Sequence, residues 1–431
     1  MSAPDFSVEI DQNEFLSAGA REVSAIVTVT SSDSVAGEQP AGAGAAEIII
    51  VDCSGSMAAP ITKLIQAREA TSAAIDAIRD GVAFAVIAGS NVATPFFPAD
   101  GGLAVASTAT RAEAKRQLRR LRANGGTAIG QWLQLARRLL ETRDDTLRHA
   151  ILLTDGRNEH ESADDLAAAI ASCEGVFRCD CRGVGTDWKV DELRQISTAL
   201  LGTVDIVPDP AGLAADFEAM MQASMAKQVA DVALQVWTPQ HATIRFVKQV
   251  APTVDELTAR RTQVTPQKGD YPTGAWGPGE SRDYHVCVEV QPGAVGGPEM
   301  LAARVSLIYT TADGPQTLGQ GNVRAIWTDD EALSAKISRQ VAHYTGQADL
   351  AQAIQDGLEA RTAGDAQAAE ALLGRAVALA HESGNADTSA LLANVVDVDQ
   401  ATGVVRLKAK VADADAMKLD TQSSKTVRVK K

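Results

Sequence analysis

The chain is poor in cysteine and in aromatic residues. It has five cysteines in 431 residues, and aromatic side chains account for 4% of the sequence. Because the cysteines are odd in number and sparse, we predict no disulfide framework. Cys179 and Cys181 would share one face of a strand, either as thiolate ligands of a metal or as small core residues. Their spacing from Cys173 matches no standard zinc pattern, which favours the core.

Long apolar stretches and leader-like segments are absent as well. No run of about 18 apolar residues occurs, so we predict no membrane span. The opening ten residues have neither the basic region nor the apolar core of a secretory signal, and we therefore expect a cytoplasmic protein. No G-x-x-x-x-G-K-[ST] loop is found, so an ATPase working with this chain would be a separate protein.

Basic residues are fewer than acidic residues. The sequence has 40 Lys and Arg residues against 55 Asp and Glu residues, and its formal net charge is −15. This balance argues against general nucleic-acid binding. With 45% hydrophobic residues, a chain of this length can form two or three domains that each bury a core.

The most informative feature that is present lies near the front of the chain. An apolar run at residues 48–51 predicts a strand buried on both faces, and a D-x-S-x-S turn follows it. The turn contains Asp52, Ser54 and Ser56. It places one carboxylate and two hydroxyls at the carboxyl edge of a sheet, where open α/β folds bind ligands. Oxygen ligands alone suit a hard cation such as Mg²⁺, Mn²⁺ or Ca²⁺.

Two later loops contain matching groups. A glycine-rich turn ends in Thr127, and a second apolar strand at residues 150–154 leads to Asp155. With these motifs the sequence resembles the von Willebrand factor type A (VWA) family, over about residues 44–227. The resemblance covers the whole metal-ion-dependent adhesion site of the family. It implies a divalent cation, with Mg²⁺ favoured over Mn²⁺ or Ca²⁺, held by Asp52, Ser54, Ser56, Thr127 and Asp155.

The family pattern implies binding. In VWA proteins the serine and threonine hydroxyls commonly contact the metal, while one or both aspartates act through water. If the same holds here, the neutral ligands leave the cation incompletely neutralised, and it should bind an Asp or Glu of a protein partner. Another explanation is that Ser54 or Ser56 only caps the next helix, but a cap needs neither Thr127 nor Asp155.

A hydrolytic use of the cation would need a general base close to it. Glu159 and His160, on the loop after Asp155, are the nearest candidates. The polar composition of this loop is typical of a solvated rim. We therefore predict a protein that is not an enzyme, in which Arg157 and His160 select an acidic partner.

The predicted fold class is an α/β doubly wound (Rossmann-like) VWA domain inserted in a β-sandwich and followed by a C-terminal helical region. Alternating strands and helices predict a parallel sheet within residues 44–227. A capping box is predicted at Thr110, and Ser162 is predicted to cap a later helix. β patterns at residues 1–43 and 228–328 predict the sandwich, with N-terminal strands paired to later ones. A linker of Ser, Ala and Gly at residues 31–45 precedes the VWA domain.

The C-terminal part changes character twice. Residues 329–400 have a helical pattern that fits a tetratricopeptide-like pair or, because one pair cannot bury its own apolar face, a bundle packed on the sandwich. Residues 401–431 form a basic tail, with eight basic and three acidic residues from Arg406 onward. We favour a disordered terminus over a segment folded onto the acidic body or a kinase target read by a phosphothreonine-binding module.

Three functions follow from these observations. We favour a bacterial, cytoplasmic, metal-dependent protein–protein interaction module that binds an acidic residue of its partner. The first alternative is a non-catalytic subunit or adaptor of an AAA-type ATPase (chelatase-like) complex, which the family resemblance suggests. The second is a structural scaffold linked to kinase and phosphothreonine signalling through a kinase or a forkhead-associated protein. In none of these do we expect nucleic acid or a membrane span.

Overall fold

The structure is a computed structural model that describes residues 5–32, 44–143, 147–311, 314–336, 338–399 and 403–428. The chain divides into two compact units. The α/β unit comprises Gly37–Ala230, and the β/helical unit comprises Met1–Ala36 together with Asp231–Lys431. The predicted linker lies largely outside the described residues, as do the last three residues of the predicted tail.

The first strands of the chain belong to the β/helical unit. They are β1 (Phe6–Gln12), β2 (Phe15–Ser17) and β3 (Glu22–Ser31). β1 pairs antiparallel with β3, with Phe6 opposite Ser31. The apolar residues of β3 are buried, as expected for β-branched side chains packed on a pleated surface.

The α/β unit alternates strands and helices. Its strands are β4 (Ala45–Asp52), β5 (Ala83–Gly89), β6 (Ala93–Phe97), β7 (Ala104–Val105), β8 (Leu147–Thr154), β9 (Arg178–Val184) and β10 (Val204–Val207). Its helices are α1 (Thr62–Ala77), α2 (Thr108–Leu118), α3 (Ile129–Leu140), α4 (Ala163–Cys173), α5 (Val190–Ala199) and α6 (Leu213–Met225). These elements form one mixed sheet with packed helices, the architecture that the resemblance in sequence implies.

The sheet of the α/β unit brings the candidate loops to one edge. Its strand order is β10-β9-β8-β4-β5-β6, with β7 beside β5. Central β4 runs parallel to β8 and β5, and every residue in it is buried. Leu64 of α1 and Phe217 of α6 pack in one core with Val51 of β4. Because the carboxyl ends of parallel strands meet at the same edge, the loops after β4 and β8 are neighbours there.

The rest of the β/helical unit begins with one antiparallel sheet and one mixed sheet. The additional strands are β11 (Val229–Trp237), β12 (Ala242–Ala251), β13 (Asp255–Glu256), β14 (Thr262–Thr265), β15 (Lys268–Trp276), β16 (Ser281–Val290), β17 (Met300–Thr311) and β18 (Gly314–Thr328). The sheet orders are β1-β3-β16-β12-β13 and β14-β15-β11-β17-β18-β2. N-terminal β3 therefore pairs with β16, and Thr30 lies opposite Ser281. Side chains of β1 pack onto glycines of β18, since a Cβ at Gly319 would come within 2.8 Å of Val8.

Helices follow the two sheets. They are α7 (Glu331–Ser334), α8 (Arg339–Thr362), α9 (Ala366–Ser383), α10 (Ala386–Val395) and α11 (Asp413–Gln422), and a hairpin of β19 (Val396–Val398) and β20 (Val405–Leu407) lies between α10 and α11. Leu419 of α11 is fully buried in a core that includes Ile354 and Leu373. No helix in the described ranges is both long and apolar enough to cross a bilayer.

The favoured prediction of a disordered tail is wrong for residues 403–428. Lys425 forms a β-bridge with Thr253, and the Thr426 hydroxyl donates to the Val250 carbonyl at 2.7 Å. Thr421 and Ser423 are each 3% exposed. The tail folds because α11 presents apolar side chains to the helical core, which a charge count does not reveal.

The two predicted helix caps have different outcomes. Ser162 caps α4 as predicted, accepting from the Asp165 N–H. The predicted box at Thr110 is wrong, because Ser107 caps α2 and Thr110 is the third helical residue, which bonds back to Ser107. Both Ser107 and Thr110 carry the hydroxyl that an N-cap requires, so composition alone did not separate them.

Candidate metal centre

The D-x-S-x-S turn follows β4 directly and is folded by its own backbone. Asp52 ends the strand, and a 3₁₀ turn runs over Gly55–Ala58. The side chain of Ser54 makes no capping hydrogen bond to this turn, and α1 begins after Ile61. The alternative in which Ser54 or Ser56 only caps the next helix is therefore wrong.

The hydroxyls of the turn instead point to one another and to Asp155. Ser54 Oγ lies 2.8 Å from Ser56 Oγ, and Ser56 Oγ donates to Asp155 Oδ1 at 2.6 Å. Because a hydroxyl has one proton, and Ser56 gives its proton to the carboxylate, Ser54 is the donor between the two serines. Ser54 and Asp155 are buried, whereas Ser56 is exposed.

Asp52 is held from two sides. Its Oδ1 accepts the Ser54 N–H at 2.7 Å, and its Oδ2 accepts the Thr154 hydroxyl at 2.5 Å. Thr154 is the last residue of β8, so this bond ties the ends of the two neighbouring strands together. Thr154 was not among the predicted site residues, although its position before Asp155 at a strand end is a signal in the sequence.

The glycine-rich turn places Thr127 beside the same cluster. The Gly55 N–H donates to the Gly125 carbonyl at 2.9 Å, which joins this turn to the D-x-S-x-S turn. A Cβ at Gly156 would lie 3.4 Å from Ser56 Oγ and 3.5 Å from Thr127 Oγ1. The missing side chain of Gly156 therefore leaves space flanked by two hydroxyls, and any larger residue would fill it.

A lysine that the sequence analysis missed completes the cluster. Lys63, in the first turn of α1, is 9% exposed, and its Nζ lies 2.7 Å from Asp155 Oδ2. A second, longer ion pair of 3.4 Å joins it to the exposed carboxylate of Asp187. Burial disfavours the charge of Lys63, but the hydrogen bond and the charge of Asp155 outweigh it and raise its pKa. Its only signal in the sequence is a cation early in a helix, which usually indicates a solvated residue.

Burial also sets the electrostatics of the other carboxylate. It raises the pKa of Asp52 to about 6, although hydrogen bonds from Ser54 and Thr154 act in the opposite direction. The charge of Asp155 adds to the rise. An added cation would favour the ionised form of Asp52. Burial likewise raises the pKa of the neighbouring Cys53 thiol to about 12, so Cys53 offers no thiolate ligand.

The donor set fits a hard cation. It consists of hydroxyl and carboxylate oxygens, which suit Mg²⁺, Mn²⁺ or Ca²⁺ and not a soft metal. Within the described ranges, no three His, Cys, Asp or Glu side chains are grouped so that they could hold a metal ion. A metal at this edge would therefore depend on the serine and threonine hydroxyls as well as on the two aspartates.

The loop after Asp155 supports the glycine-rich turn. His160 is exposed, yet its Nδ1 accepts the Thr127 N–H at 3.1 Å. Asn158 and Glu161, which the sequence analysis passed over, accept the first N–H groups of α3 from Ile129 and Gly130 at 2.8 and 2.5 Å. They satisfy donors that a helix start leaves unpaired.

The remaining rim residues lie at the surface. Arg157 and Glu159 are exposed on the loop that follows Asp155. Of the two candidate general bases, His160 has one ring nitrogen committed to the Thr127 backbone. Selection of an acidic partner by Arg157 and His160 stays a prediction.

Cys179 and Cys181 belong to the interior of the α/β unit. Cys179 Sγ and Cys181 Sγ are 4.0 Å apart on β9, and both side chains are fully buried. All five cysteines are free and buried. The neighbouring thiol and burial raise the pKa of Cys179 well above its usual value, so it remains a neutral thiol. These features are typical of small core residues.

Comparison with known proteins agrees with this architecture. Residues 48–158 match the von Willebrand factor type A domain, and residues 378–423 match the von Willebrand factor type A C-terminal domain. A curated relative, an uncharacterized protein from Synechocystis, is 28% identical over 150 residues, which are 34% of this chain. The chain spans 36% of the length of that relative.

Two solved structures resemble nearly the whole chain. The ArnB paralog VWA2 from Sulfolobus acidocaldarius shares the fold, with a TM-score of 0.59, 12% identity and 98% coverage of both chains. A von Willebrand factor type A protein from Catenulispora acidiphila is 53% identical, with a TM-score of 0.94 and coverage of 99% of this chain and 98% of that one. Similarity of that extent assigns this chain to the von Willebrand factor type A family.

Proposed function

We propose that this protein is a metal-dependent interaction module that captures an acidic side chain of a protein partner. The observation that supports this most directly is the hydrogen-bonded chain from Ser54 through Ser56 to Asp155. Its hydroxyls serve no helix cap, and Gly156 leaves space beside them and beside Thr127. A cluster of mostly buried oxygens arranged in this way fits a cation better than it fits a purely structural turn.

The proposed cofactor is Mg²⁺, with Mn²⁺ or Ca²⁺ as substitutes. Mg²⁺ prefers six oxygen ligands and retains water readily, so a few protein hydroxyls are enough to hold it. A divalent cation bound there would offer a partner's carboxylate an open coordination position.

The two aspartates would act mainly by orienting other groups. Both oxygens of Asp155 already accept hydrogen bonds, from Ser56 and from Lys63. Both oxygens of Asp52 accept as well, from the Ser54 backbone and the Thr154 hydroxyl. The neutral hydroxyls of Ser54, Ser56 and Thr127 are then the natural direct ligands, and they neutralise no charge.

We further infer a β-sandwich that is interrupted by the α/β unit and followed by a helical region. The pairing of β3 with β16 and the packing of Val8 against Gly319 support it. We also propose that the protein is cytoplasmic. We propose in addition that it has no catalytic activity, because one ring nitrogen of His160, a candidate general base, is bonded to the Thr127 backbone. Burial of Thr421 and Ser423 argues against phosphorylation of these two residues in the folded tail.

The test is a metal titration followed by partner capture. Mn²⁺ binding to the full chain is measured by electron paramagnetic resonance for the wild type, Thr127→Ala and the control Thr198→Ala, which alters an exposed residue of α5. The same proteins are then used as bait in cytoplasmic extract with Mg²⁺ or with EDTA. We expect Thr127→Ala to lose both Mn²⁺ binding and Mg²⁺-dependent capture, and Thr198→Ala to keep both.

The other outcomes separate the alternatives. Capture that requires added nucleotide and brings down an ATPase would indicate an adaptor of an AAA-type complex. Metal binding that raises the melting temperature but leaves capture unchanged would indicate a scaffold. Failure of the wild type to bind Mn²⁺ would overturn the proposal.

A further inference from the structure

Lys63 is a buried cation inside the candidate metal centre. Lysine is rarely buried unless it is paired, and here its Nζ forms a 2.7 Å ion pair with the fully buried Asp155. The helix α1 that carries Lys63 packs its apolar side chains, including Leu64 and Ala67, into the core. The backbone of Lys63 is therefore held at the sheet edge by a packed helix, and its ammonium group lies between Asp155 and Asp187.

The ion pair fixes the orientation of one hydroxyl ligand. Lys63 takes Asp155 Oδ2, which leaves Oδ1 to accept the proton of Ser56 at 2.6 Å. With its proton committed, Ser56 Oγ can present only lone pairs to the space beside Gly156. Lys63 thus positions Ser56 through Asp155, without itself being a ligand.

Lys63 also changes the charge of the centre. Asp52 and Asp155 carry two formal negative charges when ionised, and Lys63 neutralises one of them. Asp187, the other anion paired with Lys63, has a side chain that is 72% exposed, so solvent screens its charge. The buried side chains thus offer a divalent cation one net negative charge, and the loaded centre keeps one net positive charge.

We propose that Lys63 makes the centre selective for anionic ligands, at the expense of metal affinity. The residual positive charge attracts a carboxylate more strongly than water or a neutral amide. Removal of the ammonium should therefore tighten metal binding and weaken carboxylate binding. This inference rests on the proposed function, because it concerns the same cation site.

A purely structural ion pair predicts a different result. Loss of a buried partner would leave Asp155 uncompensated and loosen the loops, so metal binding would weaken. The proposal predicts the opposite sign, because the divalent cation would replace the lost charge. Lys63→Met keeps most of the side-chain length without the charge, Lys63→Gln is a polar neutral variant, and Lys63→Arg retains the charge.

The experiment measures Mn²⁺ binding to the full chain by isothermal titration calorimetry. We expect about tenfold tighter binding for Lys63→Met and Lys63→Gln, and nearly unchanged binding for Lys63→Arg. The control Lys189→Met removes an exposed cation paired with Glu192 and should have no effect. Acetate binding to the Mn²⁺-loaded proteins, followed by water-proton relaxation, should weaken for the neutral variants only.

A variant of the exposed residue that pairs with Lys63 keeps the inference testable if the neutral Lys63 variants do not fold. Asp187→Asn removes the solvent-side partner of Lys63, makes the centre more positive and should weaken Mn²⁺ binding by about twofold. If wild type binds Mn²⁺ and the neutral Lys63 variants bind it equally or less tightly, this inference fails while the proposed function stands. Absence of Mn²⁺ binding by wild type overturns both. If both neutral variants are unfolded, unchanged or tighter Mn²⁺ binding by Asp187→Asn overturns the inference.

Discussion

The sheet of the α/β unit carries buried charge at both ends of β4 and β8, and the two ends are completed differently. At the amino end, His149 of β8 lies between two carboxylates, with Nδ1 2.7 Å from Glu47 Oε2 and Nε2 2.9 Å from Asp180 Oδ2. The remaining carboxylate oxygens also accept hydrogen bonds, Glu47 Oε1 from the Ser224 hydroxyl and Asp180 Oδ1 from the Thr203 hydroxyl. Every group in this cluster has a partner supplied by the chain.

The carboxyl end differs in the space that its side chains leave between them. Lys63 pairs with Asp155, and the hydroxyls of Ser56 and Thr127 flank space beside Gly156. This comparison shows how the proposed binding site differs from a structural charge cluster. Each end has two carboxylates and one directly bonded cation. At the amino end Arg178 and Arg182 add positive charge near Asp180, whereas at the carboxyl end two hydroxyls flank the space where we propose that a cation binds.

The protonation state of His149 is central to the closed end. Burial opposes protonation, but the charge of Glu47 and the hydrogen bond to Asp180 outweigh it and raise the pKa of His149 to about 9. The same contact, assisted by Arg178 and Arg182, holds the pKa of Asp180 below its usual range despite burial. At neutral pH the cluster therefore contains an imidazolium between carboxylates.

Loss of the imidazolium should have the largest effect. We expect His149→Leu to destabilise the α/β unit by about 3–5 kcal/mol, because two carboxylates would remain buried without their shared cation. Amide hydrogen exchange across Leu147–Thr154 measures this loss locally. Mn²⁺ affinity at the other end should be unchanged in the population that remains folded, and a parallel loss of both would show that the two ends are not independent.

The second prediction concerns pH. Because the folded pKa of His149 is about 9 and its usual value is 6.5, the stabilisation is fully present below pH 6.5 and is lost as pH rises through 9. Protection of the β8 amides should fall over this range by up to about 3 kcal/mol. The decline should be absent in His149→Leu, and its persistence there would assign it to another group.

The third prediction addresses the open end. Asp52→Asn keeps the shape of the side chain but removes its charge, and we expect about a hundredfold loss of Mn²⁺ affinity. The stability without metal should not fall, since burial already disfavours ionised Asp52. Asp76→Asn, which alters an exposed ion pair with Lys115, is the matched control. Retention of wild-type affinity by Asp52→Asn would contradict a role of Asp52 in the proposed metal centre.

The smallest effect should come from the edge of the closed cluster. The Ser224 hydroxyl donates to Glu47 Oε1 at 2.5 Å, and Ser224→Ala should cost about 1 kcal/mol of stability. Urea unfolding of the full chain, monitored through hydrogen exchange of β4, provides the measurement. A cost as large as that of His149→Leu would mean that the hydroxyl, and not the imidazolium, closes this end.

The sequence was sufficient to predict the elements that carry the open end. The apolar runs before Asp52 and Asp155 indicated buried parallel strands, and strand ends of this kind converge at one edge. In the structure, hydrogen bonds join Asp52 to Ser54, and Ser54 through Ser56 to Asp155. Thr127 lies near Ser56 beside Gly156. Spacing sufficed because each residue lies at a strand end or in a tight turn.

Groups that depend on tertiary contacts escaped prediction. Lys63 pairs with a carboxylate 92 residues away in the sequence. His149 pairs with two carboxylates, 31 and 102 residues away. No local sequence pattern indicates such pairs. Strand β15 was also missed, because its Gly and Pro residues are typical of turns. Its Tyr271 and Trp276 are nevertheless fully buried, so packing outweighed local propensity.

Anomalous diffraction from crystals soaked in Mn²⁺ would test the central claim most directly. The account predicts a single strong peak at the carboxyl edge of the sheet, bonded to the hydroxyls of Ser54, Ser56 and Thr127, and no peak at the closed cluster around His149. If a crystal soaked to saturation in Mn²⁺ showed no peak among those hydroxyls, the account would be contradicted.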